Sequence, residues 1–346
     1  MKAAPFAYVR PGSVPDVVAE LAAGASASGT EGDDSGGDAK ILAGGQSLMP
    51  VLAMRLGRPG LLVDINAVPA LASITPARDP SHVPHSASAS GFPLAPTSSP
   101  APRSGPENIT IGATVRQRDA QSHPATAGVP LLRMALPWVG HREIRGRGTV
   151  CGSLAHADPA AELPAVACCL AATMTVNSVR GRRSVAAHDF FVGPLTTVLE
   201  PDELLESVSF PAAAPGEGFG FAEVARRHGD FALAGVAVRV RVTASQERTG
   251  SEEQAGVRAI VGCFGVADRP VLRDVSDWVG GVVATGEVAE AALRTRFEAD
   301  AGDFAAEVVT TSGDQHGSTG YRRRLIREMT AAELARATAR ALTGGE

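Results

Sequence analysis

Aromatic side chains are few in this chain of 346 residues, with two tryptophans, two tyrosines and eleven phenylalanines. So sparse a set offers no base-stacking surface, and a formal net charge of -5 spread along the sequence opposes a phosphate backbone as main partner. Nucleic acid is disfavoured. Lysine is nearly absent, occurring only at Lys2 and Lys40, a compositional bias that carries no function by itself. The four cysteines, Cys151, Cys168, Cys169 and Cys263, make no C-x-x-C pair and no set spaced for zinc or an iron–sulfur cluster. Any iron–sulfur centre working with this protein must therefore sit on another chain. Cys168 and Cys169 lie in an Ala/Leu-rich stretch and read as small core residues. The longest uncharged apolar run, Leu163 to Val176, is too short to cross a bilayer, and the N-terminus lacks the pattern of a cleaved leader. A cytoplasmic protein with no membrane span is expected. Also missing are a nucleophile with a paired base and any metal-ligand spacing, so neither a catalytic side chain nor a bound metal is expected.

What the chain does have is two runs of small residues about a hundred positions apart. The first is Ile41-Leu42-Ala43-Gly44-Gly45-Gln46-Ser47-Leu48-Met49-Pro50, and the second runs from Gly148 through Thr149, Cys151, Gly152, Ser153, His156 and Asp158 to Glu162. Each reads as a strand exit with bare backbone N–H groups and hydroxyls. Glycine lets an anion approach the main chain, and several inward N–H dipoles make a nest that needs no lysine. Taken singly, either run also reads as an ordinary turn. Together they can hold one pyrophosphate.

The length suits two domains or three small subdomains. A helix is expected from Ser13-Val14-Pro15-Asp16 to about Ala23, then a flexible Gly/Ser/Ala/acidic loop over 24–38. Residues 76–107, rich in Pro, Ser, Ala and Gly, read as a disordered surface insertion. Alternating residues on either side of Gly181 predict a hairpin, and Pro211 to Gly218 reads as the domain boundary. The last third is expected to hold three strands, about 219–226, 234–244 and 255–264, followed by helices at about 288–299 and 320–341. Strands first and helices after is an α+β order.

The two runs resemble the flavin-binding medium subunit of the molybdenum hydroxylases, the carbon monoxide dehydrogenase and xanthine dehydrogenase family. Further matching strings are Leu62 to Asn66, His141 to Gly148, Phe190 to Pro194 with Leu199 to Glu203, and Phe221-Ala222-Glu223 running into Arg227 to Ala232. The likeness spans nearly the whole chain. It implies a PCMH-type (vanillyl-alcohol-oxidase type) FAD-binding domain of two subdomains over 1–213, then a carbon monoxide dehydrogenase flavoprotein C-terminal domain over 218–342. It also implies FAD as cofactor, a molybdopterin-binding large subunit and a 2Fe–2S small subunit as partners, and an acceptor such as NAD, a quinone or another small molecule. A self-sufficient flavin oxidase of the same fold and a cofactor-less assembly subunit are the alternatives, Cys151 favouring the second.

By the same resemblance the first run, Ala43, Gly44, Gly45, Gln46, Ser47 and Leu48, wraps the FAD pyrophosphate. The second contributes Thr149, Gly152, Ser153 and His156, with Asp158 and Glu162 reaching ribityl or ribose hydroxyls. Asp158-Pro159-Ala160-Ala161-Glu162 reads equally as a helix start with Asp as cap. Gly193 to Leu199 and Leu205 match the stretch that packs on the isoalloxazine, with Pro194 and Leu195 giving aliphatic contact. Glu223, Arg226, Arg227, Gly229 and Asp230 match positions near the flavin ring or its supporting loop. His141, Arg142, Arg145 and Arg147 form a basic cluster suited either to solvent or to subunit and flavin-loop contact.

Overall fold

The computed structural model describes residues 2–27, 38–78, 107–243 and 256–344. The chain opens with strand β1 (Ala7–Val9), helix α1 (Val14–Ala27), β2 (Ala39–Leu42), α2 (Leu48–Ala53) and β3 (Leu61–Asp64). The three strands form a parallel sheet in the order β1-β3-β2. Helix α1 packs on it because Val14, Val17, Val18 and Leu21 recur at helical spacing, and all four are buried. Ser13 begins the helix, its hydroxyl accepting from the Asp16 N–H at 3.3 Å. The helix continues to Ala27, beyond the expected end near Ala23. Gly24 permits this, since a Cβ there would stand 2.5 Å from the Ala39 Cβ of β2. The first part of the expected 24–38 loop is therefore helix, and residues 28–37 lie outside the described residues.

Next come β4 (Ile74–Arg78), β5 (Glu107–Gly112), α3 (Gln117–Ser122), α4 (Pro130–Ala135), α5 (Arg142–Arg147), α6 (Val150–His156) and α7 (Glu162–Cys169). They lead into β6 (Thr173–Ser178), β7 (Gly181–Ala186), α8 (Ala187–Phe190), β8 (Phe191–Gly193), β9 (Thr196–Thr197) and β10 (Leu204–Pro211). Five of these strands make an antiparallel sheet in the order β4-β5-β10-β6-β7, with β8–β9 as a separate hairpin. Both ends of the expected 76–107 insertion belong to strands, with Pro76 opposite Ile109 and Arg78 opposite Glu107. Residues 79–106 lie outside the described residues. Every residue of α7 is buried, because the helix lies between this part of the chain and the C-terminal sheet. The thiol of Cys168 donates to the Ala187 carbonyl at 3.4 Å and that of Cys169 to the Ala237 carbonyl at 3.4 Å, so both are core residues as expected.

Beyond residues 212–216 the chain forms β11 (Glu217–Val224), β12 (Ala234–Thr243), β13 (Gly256–Phe264), β14 (Val271–Asp274), α9 (Ser276–Val283), α10 (Glu290–Glu298), α11 (Ala301–Val308) and α12 (Thr319–Thr343). The sheet is an antiparallel meander of four strands where three were expected. The added edge strand, Val-Leu-Arg-Asp, is too short to show an alternating pattern. On one face of the sheet Phe219 and Phe221 join the core of the first part of the chain. On the other, Val236, Val238 and Val240 form a second core with α9 to α12. Arg322 of α12 is buried and donates to the carbonyls of Leu233 and Gly265 and to Asp314, tying the helix to both neighbouring loops. The arrangement is α+β, as the order of elements predicts. Among the described residues no helix is long and apolar enough to cross a membrane.

Candidate functional site

Strand β2 ends at Leu42 and α2 begins at Leu48, so Ala43 to Ser47 form the connecting turn. Among the described residues the backbone N–H groups of Gly44, Gly45, Gln46 and Ser47 have no acceptor in the protein. Gly45 has φ +73, a conformation that favours glycine. A Cβ on Gly44 would lie 2.5 Å from the Arg147 carbonyl oxygen and 2.7 Å from the Gly148 Cα. The first turn is therefore pressed directly against the start of the second run. Gln46 sends its amide back to the Gly44 carbonyl at 3.4 Å, Ser47 is exposed, and Leu48 is half-buried at the start of α2.

The second run is not the strand exit expected from its sequence; it is helix α6. Thr149 caps it, the hydroxyl accepting from the Gly152 N–H at 2.9 Å. Thr149, Gly152, Ser153 and His156 recur at helical spacing and share one side of the helix. A Cβ on Gly152 would come within 4.0 Å of the Ala43 Cβ, so this side faces the first turn. Cys151 points the other way. It is buried, its thiol donates to the Ile111 carbonyl at 3.5 Å, and burial pushes its pKa up to about 12. The residue that favoured an assembly-only reading thus takes no space from an anion at the turn. His156 is half-buried and held below its usual pKa by burial, with Lys40 adding to the effect and Asp158 opposing it.

Asp158 does not cap α7. Ala161 occupies the cap position, and the Asp158 carboxylate accepts from the Ala160 N–H at 2.8 Å, closing a local turn. The turn keeps Asp158 beside His156 and Glu162.

Two residues absent from the expected set join the turns. The side-chain amide of Asn66 donates to the carbonyls of Ala43 at 2.8 Å and Leu42 at 3.3 Å, while its oxygen accepts from Arg116 at 2.6 Å. The other terminal nitrogen of Arg116 donates to the Arg147 carbonyl at 2.6 Å, and the Gln117 N–H donates to the Gly148 carbonyl at 2.9 Å. Asn66 is itself held by Asp64, which accepts from the Asn66 backbone N–H at 2.9 Å and from the Tyr8 hydroxyl at 2.5 Å. Burial alone would raise the Asp64 pKa, but these hydrogen bonds and nearby Arg10 outweigh it and leave the pKa lowered.

The remaining expected residues divide. The tip of the β8–β9 hairpin docks on the end of α6 through the Leu195 N–H and the Ala157 carbonyl at 3.0 Å. Leu195 is exposed and has φ +54, a strained setting for a branched side chain. Leu199 is half-buried and packs on the first core. Leu205 is only 3% exposed and belongs to that core, so its side chain faces inward from β10. Arg226 and Arg227 are exposed, with Arg226 paired to Asp230 at 3.6 Å. Gly229 meets the basic cluster, since a Cβ there would lie 2.6 Å from the His141 ring. Trp138, three residues before His141, sets its ring edge-on to His228 at 5.5 Å.

Glu162 begins α7 and Glu223 lies near the end of β11, and the charge on Glu162 disfavours the charged form of Glu223. Both are buried. Burial raises Glu162 to about 7, with Asp158 adding to the rise, and raises Glu223 to about 8, with Glu162 adding to it. One Glu223 oxygen, Oε2, is buried without a hydrogen-bond partner among the described residues.

These residues fit FAD. The N–H groups of Gly44, Gly45, Gln46 and Ser47, which have no backbone acceptor, lie on a turn that abuts the start of α6 with its Thr149 hydroxyl, and free donors of this kind suit a pyrophosphate. Asp158 and Glu162 follow α6 in the chain, and carboxylates accept hydrogen bonds from hydroxyls. Among the described residues no group of three or more His, Cys, Asp or Glu could hold a metal ion.

Residues 102–213 match the family described as the FAD binding domain in molybdopterin dehydrogenase. The chain is 34% identical to the 6-hydroxypseudooxynicotine dehydrogenase complex subunit alpha of Paenarthrobacter nicotinovorans, over 89% of this chain and 90% of that one. It is 35% identical to the nicotine 6-hydroxylase medium subunit of the same organism, over 88% and 91%. Among solved structures it resembles a chain of the carbon monoxide dehydrogenase from Hydrogenophaga pseudoflava that lacks the Mo-pyranopterin moiety of its molybdenum cofactor. That likeness has a TM-score of 0.72 at 29% identity and covers 98% of this chain and 99% of the other.

Proposed function

The chain belongs to the FAD-binding domain family of the molybdopterin dehydrogenases, an oxidoreductase family whose cofactor is FAD, and from that premise we propose that it is the electron-outlet subunit of a three-part molybdenum hydroxylase. In this reading a molybdopterin-binding large subunit oxidises the organic substrate, a 2Fe–2S small subunit relays electrons, and this chain passes them to an external acceptor. FAD, when bound, accepts electrons singly and releases them singly or in pairs, which suits that junction.

The observation that carries the reading is the direct abutment of the two small-residue turns, with Gly44 against Arg147 and Gly148 and Gly152 toward Ala43. The protein's own work is to bind and orient. Ala43, Gly44, Gly45, Gln46, Ser47 and Leu48 present the first turn's N–H groups, and Thr149, Gly152, Ser153 and His156 present the facing side of α6. Asp158 and Glu162 hold sugar hydroxyls. Leu195 and Leu199 lie beside the ring, Leu205 supports them from the core, and Glu223 closes the seam behind. The FAD domain covers 1–213 and the C-terminal domain 218–342, with the crossing at 212–216.

The four cysteines are all buried. Co-expression with the neighbouring large and small subunits tests the reading. A stable hetero-oligomer in which substrate bleaches the flavin, with no bleaching in this chain alone, is expected. Rapid flavin reduction by an organic substrate in the isolated chain would overturn it in favour of a self-sufficient oxidase.

A further inference from the structure

Arg116 joins the two turns through backbone and side chain alike. Residues 115–117 run beside residues 148–150: Arg116 and Thr149 form an antiparallel bridge, the Gln117 N–H donates to the Gly148 carbonyl at 2.9 Å, and the Val150 N–H donates to the Val115 carbonyl at 3.3 Å. The Arg116 backbone is thus fixed to the start of α6, while its side chain reaches the first turn. One terminal nitrogen donates to the Arg147 carbonyl at 2.6 Å, the same oxygen that would lie 2.5 Å from a Cβ on Gly44. The other donates to the Asn66 side-chain oxygen at 2.6 Å, and the Asn66 amide nitrogen donates in turn to the Ala43 carbonyl at 2.8 Å. Because a guanidinium only donates, it fixes which way round the Asn66 amide lies.

That order aims a peptide group. The Ala43–Gly44 bond is trans, so its carbonyl and its N–H point to opposite sides of the chain. With the carbonyl held by Asn66, the Gly44 N–H points away from the strap, and like those of Gly45, Gln46 and Ser47 it has no backbone acceptor. A neutral donor could hold the same oxygens. Arg116 brings a charge as well, half-buried, and among the described residues no carboxylate forms an ion pair with it. The two carboxylates that bear on it act elsewhere: Asp64 accepts from Tyr8 and Asn66 and faces Arg10 at 3.6 Å, and Asp119 is set against Arg118 at 3.6 Å. Arg147 adds a second guanidinium nearby. A half-buried cation beside another, at a turn whose donors have no backbone acceptor, is a setting that an anion completes.

We propose that Arg116 is a positioning residue for the FAD pyrophosphate: through Asn66 it aims the Gly44 N–H, and its guanidinium supplies a fixed positive charge that offsets the charge of the diphosphate. The proposal rests on the FAD reading above and adds to it a cation, since the first turn, Ala43 to Ser47, has no charged side chain. Binding makes and breaks no covalent bond.

The test is equilibrium binding of FAD to the flavin-free full-length chain from about 0.1 M to about 1 M sodium chloride, over which the screening length falls from about 10 Å to about 3 Å. Wild-type affinity is expected to fall as salt rises. Arg116→Met keeps an unbranched stem but neither donates nor carries charge, so it should bind FAD roughly tenfold more weakly at the low end. Its salt slope should be shallower, so the gap to wild type narrows at the high end. Arg116→Lys keeps the charge but loses the fork, and should bind more weakly than wild type with the wild-type slope retained. Undiminished affinity in Arg116→Met, or a loss by the same factor at every salt concentration, would overturn the proposal, the second outcome marking a merely structural role. So would wild-type affinity that does not change with salt, a measurement that needs no variant to fold. Failure of the wild-type chain to bind FAD at any salt concentration would instead overturn the cofactor reading, and the role of Arg116 with it.

Discussion

Gly44 and Gly45 bear the closest constraint at the site, one by contact and the other by conformation. Gly45→Val places a β-branched side chain at φ +73, a strain of about 1–3 kcal/mol, and sets its Cβ 3.2 Å from Leu42 Cδ1 and 3.4 Å from Met49 Cγ, so the turn that presents the N–H groups must shift. Purified Gly45→Val is expected to lose its FAD while keeping the far-ultraviolet circular dichroism of the wild type. Asn66→Ala removes the bonds to the Ala43 and Leu42 carbonyls and takes from Arg116 one of its two acceptors, leaving the Arg147 carbonyl. Leaving such half-buried groups unpaired costs about 1 kcal/mol or more, so FAD affinity should drop roughly tenfold in equilibrium titration. The carboxyl pair sets the pH dependence of the apoprotein. Folded pKa values of about 7 and about 8, against an ordinary 4.5, mean that the native chain binds more protons than the unfolded chain in that interval. The pair's contribution is complete below 4.5 and is lost as pH rises through about 7 and about 8, by up to ~1.4 kcal/mol per pH unit for each proton. Denaturant midpoints should fall over that range, and less steeply in Glu223→Gln. At this scale the glycine turns were legible because conformational need is written in single residue types. The Asn66–Arg116 strap was not, because an amide and a guanidinium 50 positions apart carry no local pattern.

At the scale of elements, the misreadings have local causes. The second run looked like a loop because Val-Cys-Gly-Ser-Leu-Ala-His has weak helix formers at its start, and Gly152 stands where a capping box would place Glu or Gln. Strand β14 escaped notice because four residues, half of them charged, show no alternation. The long α12 and the strands of the C-terminal meander were legible, since their apolar spacing persists over many residues. Strands β4 and β5 pair through Arg78 and Glu107, so the hairpin can be closed by a short turn. Replacing residues 80–104 with a brief Gly/Ser linker should leave flavin content and thermal midpoint nearly unchanged, because loop-closure entropy varies slowly with length. Arg322→Ala should act oppositely. It strips a buried cation from Asp314 and two carbonyls, and chemical denaturation should show a loss of about 3–5 kcal/mol.

For the whole molecule, two cores share one sheet: the first part of the chain packs on one face of the β11–β14 meander and α12 on the other. The α+β order could be read from the sequence, but the burial of α7 against β12, β13 and β14 could not, since it depends on how the first part of the chain docks on the C-terminal sheet. If FAD sits between the abutting turns, the visible absorption of the purified chain, read together with its Gly45→Val variant, tests this most directly. Stoichiometric flavin released from the wild type and none from the variant is the expected result. Full flavin occupancy in Gly45→Val, or a colourless wild type that takes up no added FAD, would contradict it.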